Sequence, residues 1–131
     1  MSTDENKTLV RRLIEEVWNT STYSELETLA APSFAESTRQ MNQSIRSAFP
    51  DHVNTIEDIV AEGDKVVVRW TLRGMHQGVF QSPIGPIPPT GKQVTVTGIH
   101  IFRIADGKIA ERWAETDMLD ALQQLGAIPA T

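Results

Sequence analysis

The first part of the chain carries apolar residues at the spacing of an amphipathic helix. They recur as adjacent pairs every four residues, which predicts one wide apolar stripe along roughly four helical turns. The stripe consists of Leu9, Val10, Leu13, Ile14, Val17 and Trp18. Thr3 or Asp4 is suited to cap the start of this helix, and the polar run at residues 19–22 ends it.

Two further helices are predicted before the pattern changes. Residues 24–30 form a short helix around Leu26 and Leu29, and Pro32 lies in the turn that follows. Residues 38–49 form a third helix, because apolar side chains again share one side until Pro50 stops it. The residues on that side are Met41, Ile45, Ala48 and Phe49.

From Val53 onward the pattern is that of strands. Four segments are rich in β-branched and aromatic residues, and short turns with glycine separate the first from the second and the third from the fourth. The segments are residues 53–61, 65–75, 93–104 and 108–117. Three helices followed by four strands predict an α+β fold, with the helices covering one face of a curved antiparallel sheet.

Residues 82–91 separate the second strand from the third. They contain four prolines, which fix the backbone and remove hydrogen-bond donors, so we expect a stiff surface loop that could rim a pocket. The 131 residues are enough for one domain with a sizeable core. We therefore assign residues 1–131 to a single domain.

The buried face of the last strand is left open by the sequence. Strict alternation places Asp117 on the side of Trp113, but neither side is cleanly apolar, and a bulge or strong curvature could change the facing part-way along. One set is Ile109, Glu111, Trp113, Glu115 and Asp117, and the other is Lys108, Ala110, Arg112, Ala114 and Thr116.

Asp117 is a candidate general base. It stands where an apolar strand meets a short predicted helix beginning at Met118, and a partly desolvated carboxylate beside Trp113 and Met118 would suit proton abstraction. Aspartate is also among the best residues for capping a helix N-terminus. From the residues alone, general base and helix cap are equally good interpretations.

The three histidines differ in their expected surroundings. His100 shares the side of Val96 and Phe102, so it can face an apolar space, where its ring would suit a carbonyl or enolate oxygen. His76 extends the side of Trp70 near a strand end and is a candidate for lining a pocket. His52, in the turn after Pro50, is expected to be exposed or a local hydrogen-bond partner.

Large aromatic side chains on strands usually pack into a core, and here they are also candidates for a cavity wall. The predicted substrate-binding residues are His76, Trp70, Phe102, Trp113, Trp18, Phe80 and Met118. Arg69 and Arg73 lie opposite Trp70 in the alternation, so we expect them on a solvated or oligomer-facing sheet surface.

Composition excludes several classes of function. The chain has no cysteine, so thiolate nucleophiles and disulfides are absent. Three scattered histidines form no metal signature, and no glycine-rich phosphate loop opens a helix, so we predict neither metal nor cofactor. A net charge of −5 without a basic stripe argues against nucleic acid and membrane surfaces. The polar N-terminus resembles no secretory signal, which makes cytoplasmic localisation the expectation.

Several separated segments resemble the SnoaL-like polyketide (ester) cyclases, within the superfamily of ketosteroid isomerases and the nuclear transport factor fold. The segments are AFPDH at 48–52, AEGDKVVVRWTLRGMHQGVF at 61–80, PPTGKQVTVTGIHIFR at 88–103, DGKIAERWAETD at 106–117 and LQQLGA at 122–127. The resemblance implies a cone-shaped fold in which helices and sheet enclose an apolar cavity. It also implies a homodimer formed through the outer sheet face.

The resemblance further implies an activity. In this family an aspartate that we match to Asp117 takes a proton from the carbon nucleophile, and His100 or His76 would then stabilise the enolate. The expected substrate is a small to medium, largely apolar carbonyl compound, closed by an intramolecular aldol reaction without a cofactor. The alternatives are a non-catalytic ligand-binding or accessory protein, and hydrolase or hydroxylase chemistry on the same scaffold.

Overall fold

The helices and strands follow one another in the order that the sequence predicts. A computed structural model describes residues 2–129. The helices are α1 (Thr3–Arg12), continued by a π-helical segment (Leu13–Trp18), then α2 (Leu26–Leu29), α3 (Pro32–Ala48) and α4 (Met118–Gln124). The strands are β1 (Val53–Glu62), β2 (Lys65–Met75), β3 (Phe80–Ser82), β4 (Gly85–Ile87), β5 (Gln93–Ala105) and β6 (Lys108–Thr116).

The N-cap of the first helix lies just before the two residues that we expected to cap it. Ser2 is the N-cap, and its hydroxyl accepts a hydrogen bond from the Glu5 backbone N–H at 3.1 Å. The Glu5 carboxylate accepts one from the Ser2 backbone N–H at 3.0 Å. Because this reciprocal capping box satisfies two otherwise unpaired donors, Ser2 takes the role that we expected for Thr3 or Asp4.

The end of the first helix widens into π geometry. The backbone N–H of Asn19 bonds to the carbonyl of Ile14, five residues earlier. Such π turns are uncommon and often lie at functional sites. All four apolar residues of this segment that belong to the predicted stripe are buried, namely Leu13, Ile14, Val17 and Trp18.

Helix α3 is longer than predicted, since it starts at Pro32 instead of residue 38. Proline is favoured in the first turn because its missing N–H would have no helical partner there. Phe34 and Ala35 thereby join the buried side of the helix. The expected surface loop at 82–91 also differs, because β3 and β4 form a small hairpin that pairs Phe80 with Ile87.

The main sheet has four antiparallel strands in the order β1-β2-β5-β6. One face of the sheet packs against the helices. The core combines buried side chains of β2 and β5 with buried side chains of α1, the π-helical segment, α2, α3 and α4. Helix α4 is fastened to β5 by Gln124, whose side-chain amide exchanges two hydrogen bonds with the Thr95 backbone, at 2.9 and 2.7 Å. The α+β prediction, with N-terminal helices on an antiparallel sheet, is confirmed.

A β-bulge interrupts the pairing of β5 with β6. Arg103 pairs with Glu111 and Ile104 with Ile109, which leaves Ala110 as an extra residue in β6. A bulge of one residue reverses which side chains face the core beyond it. Ile109 before the bulge is fully buried, and Arg112 after it shares the inner face with its cross-strand partner Phe102.

Candidate functional site

An apolar cavity of about 240 Å³ lies between α3, the inner face of the sheet and α4. Its wall from the helices and their ends consists of Trp18, Met41, Asn42, Ile45, Phe49, His52, Met118 and Ala121. Its wall from the sheet and hairpin consists of Asn54, Trp70, Leu72, Phe80, Val96, His100, Arg112, Ala114 and Thr116. Largely apolar walls with a few polar groups are typical of small-molecule sites.

The bulge at Ala110 decides which residues of β6 face this cavity. Ala114 lies opposite His100, and Thr116 lies opposite Gly98, so both share the inner face. Trp113 pairs with Ile101 on the outer face and is 47 % exposed. The expectation that Trp113 lines the cavity is therefore wrong, because the bulge turns its side chain away.

Asp117 also lies outside the cavity. It is exposed, it follows β6 directly, and its Oδ1 accepts a hydrogen bond from the Asp120 backbone N–H at 3.1 Å as the N-cap of α4. Its surface neighbours include Arg69, Thr97 and Glu115. Of the two interpretations left open by the sequence, this geometry corresponds to the helix cap.

His100 lies in an aromatic box on the cavity wall. Its ring stacks on Trp70 with centroids 5.1 Å apart and an interplanar angle of 17°, and it meets the edge of Trp18 at 5.4 Å. Phe102 lies 5.4 Å away on its other side. Burial holds the pKa of His100 down at about 3, with the Arg112 charge contributing, so the ring is neutral near pH 7.

Glycine at position 98 allows this stack to form. Gly98 pairs with Trp70 across β2 and β5. A Cβ atom there would lie 2.4 Å from Trp70 Cζ2 and 2.6 Å from the Glu115 carbonyl oxygen. Such distances are far inside van der Waals contact, so the indole can lie across β5 only because residue 98 has no side chain.

Two polar atoms of the stacked pair have no hydrogen-bond partner within the described residues. These atoms are Trp70 Nε1, which can only donate, and His100 Nδ1, and both are buried. Buried polar groups are nearly always satisfied in folded proteins. Two orphaned groups on adjacent rings of one cavity wall therefore indicate a place for a polar atom of a ligand.

His52 contributes a third orphaned atom. Of the two expectations for this turn residue, exposure is wrong, because His52 is 1 % exposed and belongs to the cavity wall, and the local hydrogen bond is present. Its Nδ1 lies 3.1 Å from the Phe49 carbonyl oxygen. Since a carbonyl can only accept, Nδ1 carries the hydrogen, and Nε2 presents an unpaired lone pair. Burial, with Arg46 next, lowers the pKa of His52.

Other polar residues of the wall are committed to the fold. Asn42 donates to the Trp18 carbonyl and accepts from Ser21 and Tyr23. Asn54 is joined to Asn19 through both its backbone and its side chain. These amides hold the helix end against β1. The two histidines, Trp70, Arg112 and Thr116 are the polar side chains of the wall that remain for a ligand.

Arg112 brings the single formal charge among the residues that line the cavity. It is half-buried, its guanidinium lies 5.9 Å above the Trp18 ring, and its Nη1 donates to Met41 Sδ at 2.8 Å. Arg112 takes part in none of the salt bridges formed within residues 2–129, and Glu111 bonds instead to Arg103. Arg112 therefore has no carboxylate partner within the described residues.

Two predicted site residues are built into the core instead of the cavity wall. Phe102 is fully buried beneath His100 and packs edge-on against Phe34. His76 is also fully buried, and its Nδ1 receives the Thr90 backbone N–H at 3.2 Å and contacts the Thr90 hydroxyl at 2.9 Å. His76 thus fastens the loop before β5, and the cavity stops short of it.

The structure brings five of the nine predicted site residues to one cavity: His100, Trp70, Trp18, Phe80 and Met118. It adds His52, which we expected in the turn after Pro50, and Arg112, for which the sequence predicted no role in the site. The parity of Arg112 with Ala114 and Thr116 was the available signal for Arg112, because the smaller residues of that set suit a cavity wall. For His52 no sequence signal distinguished a buried turn from an exposed one.

Residues 2–129 contain no group of three histidine, aspartate or glutamate side chains arranged to hold a metal ion. Glu115 and Asp117 are exposed and border a separate groove on the surface. Within the described part of the chain, no helix combines the length and apolar character that crossing a bilayer requires.

Solved structures share this architecture along almost the whole chain. TsrD from Streptomyces laurentii superposes with a TM-score of 0.86 at 28 % identity, covering 98 % of this chain and 99 % of that one. AclR from Streptomyces galilaeus, a candidate hydroxylase, gives 0.84 at 28 % identity, covering 99 % and 86 %. A candidate SnoaL-like polyketide cyclase from Jannaschia sp. CCS1 gives 0.84 at 27 % identity, covering 97 % and 95 %.

No curated protein matches the chain. The family model of the SnoaL-like polyketide cyclases matches residues 8–125, which include every element from the middle of α1 to the end of α4. The resemblance inferred from the sequence is thereby confirmed. The chain belongs to the SnoaL-like polyketide cyclase family.

Proposed function

We propose that this protein binds a small, largely apolar carbonyl compound in the cavity and holds its carbonyl oxygen against Trp70 and His100. The observation that carries the proposal is the buried, unpaired Trp70 Nε1 beside the unpaired ring of His100. An indole N–H can only donate a hydrogen bond, and a neutral imidazole can donate one from a single nitrogen. A ligand carbonyl oxygen that accepted from both groups would satisfy them.

The remaining wall supports an apolar skeleton for this ligand. Side chains such as Ile45, Phe49, Leu72, Val96 and Met118 surround the two rings. Transferring apolar area out of water stabilises binding by about 25 cal/mol per Å². The polar contact then fixes the orientation of a ligand that is held mainly by burial.

Paired probes test this proposal. 2-Acetonaphthone and 2-ethylnaphthalene have nearly the same shape, but only the ketone has a carbonyl oxygen. We expect calorimetric titration to give tighter binding of the ketone by about 10-fold, the value of one or two hydrogen bonds. Trp70→Phe should remove that preference, and Trp113→Phe, on the outer face, should keep it. Equal affinity of wild-type protein for both probes would refute carbonyl recognition.

Proton transfer next to that carbonyl is a second candidate function, and His52 favours it. His52 lines the cavity from the turn before β1, and its Nε2 lone pair is unpaired within the described residues. The Trp70 and His100 groups suit an enolate oxygen. A base and an oxyanion site in one apolar cavity are the requirements for abstraction of a proton α to a carbonyl. Aldol closure of a polyketide-like substrate would use the same step.

Deuterium exchange separates the two candidate bases. NMR follows loss of the α-proton signal of 2-acetonaphthone in D₂O with enzyme present. If His52 is the base, His52→Gln stops the catalysed exchange and Asp117→Asn leaves it intact. If Asp117 acts after all, the two variants give the opposite pattern. Exchange no faster than in buffer would leave ligand binding as the function.

We also infer a homodimer formed through the outer sheet face. One row of apolar side chains crosses all four strands on that face: Val60, Val67, Ile101 and Trp113. The neighbouring row carries the Arg69–Asp58 ion pair, at 2.6 Å, so a second copy related by two-fold symmetry would meet both apolar and charged partners. Sedimentation should give a dimer at micromolar concentration, and Ile101→Glu should give a monomer.

A further inference from the structure

The charge distribution inside the cavity is one-sided. Arg112 is cationic, and the other sixteen residues that line the cavity are uncharged or, for the two histidines, neutral near pH 7. The wall contains no aspartate, glutamate or lysine. A cation in an apolar cavity without an opposing carboxylate is costly unless another group compensates it.

Two side chains of the cavity wall contact the Arg112 guanidinium, and Arg112 also borders a second pocket beside Glu111. Its two partners, the Trp18 ring at 5.9 Å and Met41 Sδ at 2.8 Å, both belong to the cavity wall. Neither partner carries a negative charge. Burial lowers the pKa of Arg112, although an arginine remains charged near neutral pH.

Arg112 also lies close to the carbonyl site proposed above. Trp18 contacts both the guanidinium of Arg112 and the ring of His100. On the inner face, the pair Phe102–Arg112 is the next row to the pair His100–Ala114. Trp70, His100 and Arg112 therefore present donor groups from neighbouring rows of the sheet, which we call the donor end of the cavity. His52 Nε2 is an unpaired acceptor in the same wall.

We propose that the natural ligand carries an oxyanion, either a carboxylate or the enolate of a 1,3-dicarbonyl group, and that Arg112 binds it at the donor end of the cavity. This inference rests on the proposed ligand-binding function and narrows it to acidic aromatic or apolar compounds. A planar guanidinium recognises two oxygens of such a group at once. Arg112 is then a specificity-determining residue, since a neutral analogue leaves its charge without a partner.

A carboxylate probe tests one source of the oxyanion. 2-Naphthoate and 2-acetonaphthone differ little in shape but differ by a full charge. Calorimetry near neutral pH should give about 10- to 100-fold tighter binding of naphthoate, the range for a hydrogen bond to a charged group. Arg112→Gln should abolish this preference. The matched control is Arg103→Gln, on the outer face of β5, which should leave the preference as it is.

A diketone probe tests the other source. The enolate of 1-phenylbutane-1,3-dione absorbs at longer wavelength than its neutral form, so a spectrophotometric titration follows its ionisation. If the cavity recognises enolates, bound diketone should ionise at lower pH than free diketone by about one unit or more, which corresponds to a 10-fold preference. Arg112→Gln should remove this shift.

The outcomes separate the two proposals. Preference for either anion that depends on Arg112 supports this inference and identifies the source. Ketone binding without any preference for naphthoate or enolate overturns it and leaves the proposed carbonyl binding intact. Failure of the ketone and of both anions to bind overturns both proposals. Arg112→Lys, which keeps the charge but loses the planar two-point contact, should retain part of the preference.

Discussion

The ring of His100 lies nearly parallel to the indole of Trp70, with centroids 5.1 Å apart and 17° between the planes. The two rings come from neighbouring strands, but they are not direct cross-strand partners. Trp70 lies opposite Gly98, and His100 lies opposite Val68. The indole therefore reaches across the backbone of Gly98 to meet His100, and this diagonal contact forms the floor of the cavity.

The diagonal contact makes position 98 intolerant of a side chain. Gly98→Ala would place a Cβ 2.4 Å from Trp70 Cζ2, so either the indole or β6 must move. We expect a loss of unfolding free energy of about 1–3 kcal/mol, as for other overpacked sites. Chemical denaturation measures this, and near-ultraviolet circular dichroism should show a changed tryptophan signal. Thr97→Ala, one residue earlier and exposed, is the control and should change stability little.

Acidification should destabilise the fold through His100. Its pKa is about 3 in the folded state and near 6.5 in the unfolded chain. Between these two pH values the unfolded state therefore binds more protons than the folded state. The contribution of His100 to the free energy of unfolding is fully present above pH 6.5 and decreases as the pH drops below it. The slope approaches about 1.4 kcal/mol per pH unit for one histidine. Denaturation midpoints from about pH 7 to about pH 5 measure the loss.

Comparison with a variant assigns that loss. His100→Phe removes the titrating ring. It should reduce the slope of the free energy of unfolding against pH by the amount that corresponds to roughly one bound proton. His52, whose pKa is also lowered by burial, contributes in the same direction and accounts for the remainder. An unchanged slope in His100→Phe would show that the ring is not kept neutral by the fold.

Removing the Arg112 charge should affect stability and binding in opposite directions. Without ligand the guanidinium has no anionic partner in the described part of the chain, so Arg112→Met should leave the unfolding free energy unchanged or raise it by about 1 kcal/mol. Arg103→Met, which breaks the pair with Glu111, should not be stabilising. Thermal melts of the ligand-free proteins make the comparison, and a clear loss for Arg112→Met would contradict the uncompensated charge.

Asp117 should behave as a helix cap in stability measurements. Asp117→Ala removes the acceptor of the Asp120 backbone N–H and should cost about 1 kcal/mol. Asp117→Asn keeps an acceptor oxygen and should be close to wild type. Neither variant should change the affinity for 2-acetonaphthone, because the carboxylate lies outside the cavity. Loss of binding in Asp117→Asn would require this side chain to reach the ligand.

The local pattern of apolar and polar residues was sufficient to predict most of the helices and strands. The apolar stripe from Leu9 to Trp18 identified the first helix, and the alternation in residues 65–75 identified β2 within its observed bounds. The turns at 62–64 and 106–107 set the antiparallel order. These features depend on near neighbours in the chain, and near neighbours are what a sequence displays directly.

A single extra residue decides which side chains of β6 lie on the inner face of the sheet. Asp117 and Trp113 do share one side, as alternation requires, but the bulge at Ala110 makes this the outer side. A bulge is a property of the pairing between β5 and β6, so the sequence of β6 alone could not reveal it. The same shift places Arg112 opposite Phe102 on the inner face, where it lines the cavity.

The sequence by itself determined the family, the α+β class, the order of elements and the aromatic character of the site around Trp18, Trp70 and His100. Tertiary structure alone decided that Asp117 caps a helix, that His52 is buried, and that Arg112 supplies the cavity's charge. The physical reason is that periodicity reports whether a residue can be buried, whereas register, bulges and turns decide which space it is buried in.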